Sequence, residues 1–329
     1  AKDIPSFTAD TYRAVVGSMP RLAGGTRYET AGLLFDQGNW QQGGSIVLAS
    51  GANYPDALAA SALAGDLNAP IMLTDPNGLS TETEWRIQNL KPARVYIIGG
   101  NAAVSTKVER RIAQLIGSES NIQRIAGDTR YDTSLKVASS LSSPSDTVIV
   151  TTGTNYADAL SISPYAFATG SPVVLSSPSS GLSDSALKAI KKAGYKKAVI
   201  VGGASAVPAS VASQLKAQGI GDITRLSGDT RYATSAKIAE FELKQNVGFT
   251  MDGAYLATGQ NFPDALAAGA LSGKHLAPLL LVDPGAHEAC SFLSKYKGEV
   301  SRVIFVGGTS AIGNAEAISI TRALGVNGA

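Results

Sequence analysis

The stretch Gly127-Asp-Thr-Arg-Tyr131 occurs again, unchanged, at Gly228-Asp-Thr-Arg-Tyr232 and, with one substitution, at Gly24-Gly-Thr-Arg-Tyr28. The copies lie about 100 residues apart in a chain of 329 residues. Such a period is longer than the roughly 20–50 residues of a solenoid repeat, and it is long enough for a domain with a small core of its own. The chain is therefore predicted to contain one domain three times.

Two further motifs recur in the same order. An Asn-aromatic-x-Asp-Ala-Leu motif occupies residues 53–58, 155–160 and 261–266, and a glycine pair ends an apolar run at residues 99–100, 202–203 and 307–308. The three motifs divide the chain into predicted segments. These are an N-terminal helical cap over residues 1–19, followed by a first, second and third unit over residues 20–120, 121–222 and 223–329.

Within one unit, short apolar runs alternate with segments that have helix signals. Ser45-Ile-Val-Leu-Ala49 is a continuous apolar run, which is typical of a parallel strand covered on both faces. Thr26 precedes a helical segment and has Glu29 three residues on, the pattern of a capping box. Each unit is thus predicted to be a small α/β domain, Rossmann-like (toprim-like), with an open parallel sheet whose carboxyl edge is the ligand edge. Pro/Gly-rich linkers are absent between the units, so we predict a pseudo-three-fold trimer within one chain.

The composition limits the partners of the protein. Charged residues make up 16% of the chain and the net charge is +2, which gives no broad basic face for nucleic acid. A local basic site for an anionic ligand is still compatible with these values. One cysteine excludes an internal disulfide, and no apolar run is long enough to span a membrane.

The repeated motifs supply the candidate ligand-binding residues, because each lies at a predicted loop-to-helix junction. An arginine side chain offers two parallel donors to phosphate or carboxylate, Asn and Asp hydrogen-bond sugars or shape the loops, and glycine allows a ligand to approach the backbone closely. We call these residues the motif arginines (Arg27, Arg130, Arg231), the motif asparagines (Asn53, Asn155, Asn261), the motif aspartates (Asp56, Asp158, Asp264) and the motif glycines (Gly100, Gly203, Gly308).

A purely structural interpretation stays open for the same residues. The motif aspartates would then cap their helices, the motif arginines would pair with them and join one helix to the next, and the glycine pairs would form turns. Repetition does not decide between the two interpretations, since duplication copies structural and functional residues alike.

No catalytic motif is present. The two histidines, His275 and His287, do not form a His-Glu-x-x-His zinc motif, and Cys290 has no sequence partner that marks a nucleophile. Gly-x-Ser-x-Gly, Walker and dinucleotide-binding glycine motifs are also missing. The sequence therefore predicts a protein that is not an enzyme, without catalytic residues, cofactor or metal.

Taken together, the ordered motifs resemble the type 2 cell wall-binding repeat of Gram-positive surface proteins, including S-layer-associated proteins. The similarity runs from about residue 20 to residue 324. The resemblance implies a secreted protein at the cell surface whose three modules form a trimeric anchor. It implies non-covalent binding to an anionic glycopolymer of the cell wall, with other surface-layer proteins as further partners. Gly25 stands where the family has Asp, and Ala157 where it has Pro, which leaves open whether three sites bind equally.

Two other functions stay open at this point. One is a surface lattice or adhesion protein whose units contact other proteins. The other is an α/β enzyme acting on wall glycans, for which the fold class is the only support.

Overall fold

A computed structural model describes residues 20–325; the predicted helical cap over residues 1–19 lies outside the described residues. The strands form three four-stranded sheets, ordered β3-β2-β4-β5, β7-β6-β8-β9 and β11-β10-β12-β1, in which every pairing is parallel. This confirms three small Rossmann-like α/β domains. The strand bounds are β1 Arg21–Leu22, β2 Ser45–Ser50, β3 Ile71–Thr74, β4 Arg94–Ile98, β5 Ile122–Ile125, β6 Thr147–Thr152, β7 Val173–Ser176, β8 Lys197–Val201, β9 Asp222–Leu226, β10 Gly253–Thr258, β11 Leu279–Val282 and β12 Arg302–Val306.

The fourth strand of each sheet joins consecutive units. Strand β5 lies at the start of the second unit in the sequence, but it pairs with β4 of the first unit, with Ile98 opposite Ile125. Strand β9 pairs in the same way with β8 of the second unit. The third sheet is completed by β1, from the start of the first unit, with Leu22 opposite Val306. The three units therefore form a closed ring. The edge strand of each sheet comes from the following unit, and that of the third sheet comes from the first unit.

Helices cover both faces of each sheet and fall into three sets. The arginine helices, each beginning at a motif arginine, are Arg27–Asp36, Arg130–Ser139 and Arg231–Lys244. The inner helices are Pro55–Ala59 (a 3-10 helix) with Ala60–Asp66, Ala157–Ser161 with Ser163–Thr169, and Pro263–Lys274. The outer helices are Thr81–Leu90, Thr106–Ile116, Asp184–Ala193, Ser210–Ala217, His287–Lys295 and Asn314–Ala323.

The two faces of each sheet contribute to different cores. In β2, Ile46 and Leu48 pack with the outer helices of the first unit, whereas Val47 and Ala49 belong to a core shared by all three units. The second and third units have equivalent separate cores. Side chains alternate along a strand, so strands that are apolar throughout serve both cores, as the uninterrupted apolar runs predict.

The inner helices pack against one another around the pseudo-three-fold axis. Helix Ser163–Thr169 contacts both Ala60–Asp66 and Pro263–Lys274. A side chain at Gly65 would collide with the backbone carbonyl of Phe167, and one at Gly269 would collide with the Ser163 hydroxyl. Glycine is required at these positions because the helices approach so closely.

Candidate functional site

The motif arginines begin helices that have threonine caps. Thr26, Thr129 and Thr230 have extended backbone angles, and each side chain accepts a hydrogen bond from the backbone N–H three residues later. This is the expected N-cap geometry. The capping box is reciprocal only in the second of these helices; in the first, Glu29 Oε2 instead accepts from the backbone N–H of Gly25 at 2.6 Å.

Each motif arginine hydrogen-bonds within its own unit, to the residue that follows the central strand. The Nη1 atoms of Arg27, Arg130 and Arg231 donate to the carbonyl oxygens of Gly51, Gly153 and Gly259 at 2.5, 2.6 and 2.6 Å. A guanidinium group has five N–H donors. Within residues 20–325, Arg27 and Arg130 make no other hydrogen bond, so most of their donors are left for a ligand or water.

The motif arginines face the preceding unit. Each arginine helix packs against the inner helix of the unit before it, and Arg27–Asp36 packs against Pro263–Lys274 of the third unit. The charge of Arg27 acts on Asp264, and that of Arg231 acts on Asp158. In the described part of the chain, however, the motif arginines and motif aspartates form no ion pair within 4.0 Å. The structural interpretation in which these pairs lock the helices together is therefore not the arrangement observed.

The motif aspartates are half-buried at the first turn of the inner helices. Burial raises the pKa of Asp158 to about 6, although the nearby Arg231 acts in the opposite direction. Burial also raises the pKa of Asp264, again opposed by an arginine, Arg27. Across the described residues, the three carboxylates accept no hydrogen bond, so they do not cap their helices.

The first glycine of each pair makes room for a motif aspartate. Gly99, Gly202 and Gly307 have φ of 106°, 118° and 99°. A side chain at Gly99 or Gly202 would lie 3.0 or 2.8 Å from an Asp carboxylate oxygen, and one at Gly307 would collide with Asp264. The motif glycines themselves follow these residues, and a side chain at Gly100 or Gly203 would meet no atom within 4 Å. The first glycine is thus needed for packing, while the second leaves open space beside the site.

The motif asparagines shape the loop before the inner helix. Asn155 Oδ1 accepts from the backbone N–H of Ala157 at 3.1 Å, and Asn261 Oδ1 accepts from that of Phe262 at 2.9 Å. Asn53 differs, because its backbone N–H donates to the hydroxyl of Ser50 at 3.2 Å. The side-chain amide N–H groups stay available to solvent or ligand in all three, since the described residues offer them no acceptor.

An aromatic cluster on the axis was missed by the sequence reasoning. Tyr54, Tyr156 and Phe262 form a triangle with ring-centroid distances of 5.3, 5.5 and 6.2 Å. The Tyr54 and Tyr156 hydroxyls donate to the carbonyls of Thr154 and Gly259 in the next unit, both at 3.2 Å. The available signal was the aromatic residue that recurs directly after each motif asparagine.

One groove brings four predicted types of residue together. It lies between the third and first units, where the ring closes, and we call it the seam groove. Its cavity of about 280 Å³ is lined by Arg27, Asn261, Asp264 and Gly308. The complete lining is Gly24, Gly25, Thr26, Arg27, Thr30, Thr258, Gln260, Asn261, Pro263, Asp264, Gly308, Ser310 and Ala311.

A second cavity, of about 490 Å³, is lined by His275 together with Tyr255, Asp252 and Arg302 and contains none of the motif residues. His275 Nδ1 lies 2.7 Å from the Tyr255 hydroxyl, and burial raises the pKa of the half-buried Cys290 thiol. Over residues 20–325, no group of three or more His, Cys, Asp or Glu side chains is placed to hold a metal ion. In the same range, no helix is long and apolar enough to cross a membrane.

Comparison with known families accounts for the repeated geometry. The model of the cell wall binding domain 2 (CWB2) family matches residues 21–109, 124–212 and 225–316. The chain belongs to this family. The predicted resemblance is therefore confirmed, and the three CWB2 repeats make the chain a cell-wall-binding module associated with the wall or cell surface.

Two curated relatives from Bacillus subtilis (strain 168) are similar to most of this chain. The N-acetylmuramoyl-L-alanine amidase LytC is 32% identical over 280 residues, which are 85% of this chain and 52% of that protein. The amidase enhancer is 32% identical over 293 residues, 89% of this chain and 38% of that protein. The chain thus spans about half or less of each relative's length.

Two solved structures of Clostridium difficile proteins share the fold of the CWB2 chain. Cwp6 superposes with a TM-score of 0.80 and 26% identity, covering 92% of this chain and 48% of that one. Cwp8 gives a TM-score of 0.81 and 27% identity, covering 94% of this chain and 52% of that one.

Proposed function

We propose that this protein is a secreted, non-covalent anchor that holds onto an anionic polymer of the bacterial cell wall through the grooves between its units. The observation that supports this most is the seam groove, where Arg27 retains unused donors beside polar groups of another unit. A guanidinium group with spare donors suits phosphate or carboxylate groups.

A repeating polymer matches a protein with three similar grooves. Binding of one repeat holds the next anionic groups close to a second groove, so the overall affinity exceeds that of a single groove. The net charge of +2 makes long-range attraction weak, so the motif arginines themselves supply the attraction for the anion. The motif asparagines and motif glycines then contact the sugar or the linking atoms.

The first test removes the three motif arginine charges. We expect the Arg27→Gln/Arg130→Gln/Arg231→Gln protein to lose at least about tenfold in affinity for purified cell walls, because hydrogen bonds to charged groups contribute about 1.5–3 kcal/mol each. Co-sedimentation over a salt series measures this, with walls before and after chemical removal of anionic polymers. The wild-type protein should pellet only with untreated walls.

A matched control removes three cations elsewhere. Lys188, Lys191 and Lys192 are exposed on the outer helix of the second unit and its C-terminal end, so their replacement by Gln changes net charge equally without touching a groove. Thermal unfolding should show that both triple variants are folded. Equal pelleting of wild type with stripped and untreated walls would rule out the anionic polymer as the ligand.

A second prediction concerns pH. The pKa of Asp158 is raised to about 6 by burial, so the carboxylate is ionised above pH 6 and neutral below it. Since the ionised form repels an anion next to Arg231, affinity should rise as pH falls from 7.5 to 5.5. Linear polyphosphate is a suitable probe, because its internal groups stay ionised across this range. Asp158→Asn should bind at pH 7.5 more tightly than wild type and with a shallower pH dependence; an unchanged profile would remove Asp158 from the site.

A further inference from the structure

The three inter-unit grooves differ at two positions that adjoin the motif arginine. Gly25, two residues before Arg27, corresponds to the exposed acids Asp128 and Asp229 of the other units. Phe262 of the third unit corresponds to Tyr54 and Tyr156. Gly25 lines the cavity of the seam groove, and Phe262 lies in the chain between the lining residues Asn261 and Pro263 without lining the cavity itself.

Tyr156 reduces the number of free donors on one of the three motif arginines, Arg231. Between the second and third units, Arg231 Nη1 also donates to the Tyr156 hydroxyl at 3.0 Å, and its guanidinium carbon lies 5.3 Å from the centroid of that ring. The Tyr156 ring therefore packs against the face of the Arg231 guanidinium group, and the Tyr156 hydroxyl occupies one of its N–H donors. Phe262 has no hydroxyl, and in the described structure Arg27 donates only to Gly51. Arg27 therefore has more donors available for an incoming anion than Arg231, and as many as Arg130, which over the described range donates only to Gly153.

The position before the capping threonine changes the local charge. A carboxylate at residue 128 or 229 lies two residues from the motif arginine and repels an anion that approaches it. Gly25 itself contributes no charge, but the Glu29 carboxylate accepts a hydrogen bond from its backbone N–H at 2.6 Å. The first unit therefore has one acid here, whereas the second unit has two, Asp128 and Asp132. The seam groove also has neutral donors on the opposite wall, Thr258, Gln260 and Ser310. The first unit has Ser50, Ala52 and Ala102 at these positions, whereas the second unit, with Thr152, Thr154 and Ser205, is equally polar.

The size of the cavity indicates what fits. At about 280 Å³ it lies just below the roughly 300–1,000 Å³ of sites for drug-sized ligands. It is suited to one anionic group with its neighbouring sugar or polyol atoms, with the rest of a polymer chain outside.

We propose that the seam groove is the principal anion site of the protein, taking a single phosphate or carboxylate group, and that its occupation holds the first and third units together. This rests on the proposed function. One wall comes from residues 24–30 and the other from residues 258–311, so a ligand bound between them favours the closed ring. Ligands that bind only the closed form stabilise it by mass action.

Single substitutions test the ranking of the grooves. Arg27→Gln should lower wall affinity about tenfold, and Arg231→Gln by less than about threefold, because the Tyr156 hydroxyl and ring already engage Arg231. Arg130→Gln should also cost less than about threefold, because the acids Asp128 and Asp132 already weaken anion binding beside Arg130. Three equal losses would overturn the seam proposal and leave the proposed function standing. No loss from any of the three, alone or combined, would overturn both.

The charge at residue 25 provides a matched pair of variants. Gly25 has no positive φ, and a side chain there would meet only the flexible Glu29 carboxylate at 3.2 Å, so substitution is compatible with the fold. Gly25→Asp and Gly25→Asn add similar volume, and the difference between them reports the charge alone. We expect the Asp variant to bind walls several-fold more weakly than the Asn variant; equal affinities would contradict the proposal.

Small anions test whether occupation of the seam groove stabilises the folded protein. Glycerol 3-phosphate and glucuronate, added separately at rising concentration, distinguish a phosphate from a carboxylate preference. The preferred probe should raise the melting temperature of the wild-type protein and of Arg130→Gln, but not that of Arg27→Gln. A shift that persists in Arg27→Gln would place the anion elsewhere.

Discussion

Replacing Gly65 with valine is expected to abolish the packed ring. Gly65 lies in the inner helix of the first unit, where any Cβ would collide with the backbone carbonyl of Phe167 in the second unit. Overpacking a core usually costs about 1–3 kcal/mol and occasionally more. Here the obstacle is backbone in a helix that also contacts the third unit, so we expect a loss of at least about 3 kcal/mol in the free energy of unfolding.

Urea denaturation followed by circular dichroism measures this loss. Gly65→Ala should show a smaller effect in the same direction. Gly298→Ala is the matched control: Gly298 is exposed and a Cβ there would meet no atom within 4 Å, so its stability should change by less than about 0.5 kcal/mol. A Gly65→Val protein as stable as wild type would show that the inner helices do not meet in this register.

Replacing Glu242 with methionine is expected to stabilise the protein. Glu242 lies in the arginine helix of the third unit, is 0% exposed, and within the described residues neither carboxylate oxygen has a hydrogen-bond partner. Burial raises its pKa well above the usual range. Replacing buried charged groups by apolar residues of similar volume often stabilises a protein by about 1–4 kcal/mol, and we expect a gain in the upper half of this range at pH 7.

The pH dependence gives a distinct signature of the same carboxyl group. Because its folded-state pKa is raised, the folded protein keeps a proton that the unfolded chain has released. The contribution of Glu242 to stability is therefore full at acidic pH, and falls by about 1.4 kcal/mol per pH unit as pH rises above the unfolded pKa. The decline ends at the folded-state pKa.

Unfolding free energies between pH 4 and pH 8 will separate the wild-type protein from Glu242→Met, which should lack this decline. Glu240→Met is the control in the same helix, since Glu240 is a partly exposed partner of Lys295 at 3.2 Å. Its effect should stay within about 1 kcal/mol, as for other surface ion pairs. Parallel pH profiles for wild type and Glu242→Met would mean that Glu242 is solvated.

The sequence predicts the content of each unit better than the connections between units. Continuous apolar runs such as Ser45–Ser50 identify parallel strands, and repetition identifies three domains. Strand pairing could not be predicted in the same way, because Ile122–Ile125 lies at the start of the second unit in sequence but completes the first sheet. Local patterns specify which residues are strands; the partner of an edge strand is decided by tertiary packing.

The same distinction applies to the candidate site. Spacing alone places a motif arginine and a motif aspartate in the same unit, yet Arg27 faces Asp264 of the third unit. The sequence also does not show that Gly307 makes room for the Asp264 carboxylate. A glycine after a strand can make room for a ligand equally well. Helix caps such as Thr26 were predictable because their hydrogen bonds join residues close in sequence.

The exchange of edge strands fixes the number of repeats. In a solenoid each repeat contacts its neighbours alone, so repeats can be gained or lost one at a time. Here removal of one unit would leave a neighbouring sheet with a bare edge open to pairing with other chains, and an extra unit would have no place between β1 and β12. Genes that encode this architecture are therefore expected to gain or lose these repeats in sets of three.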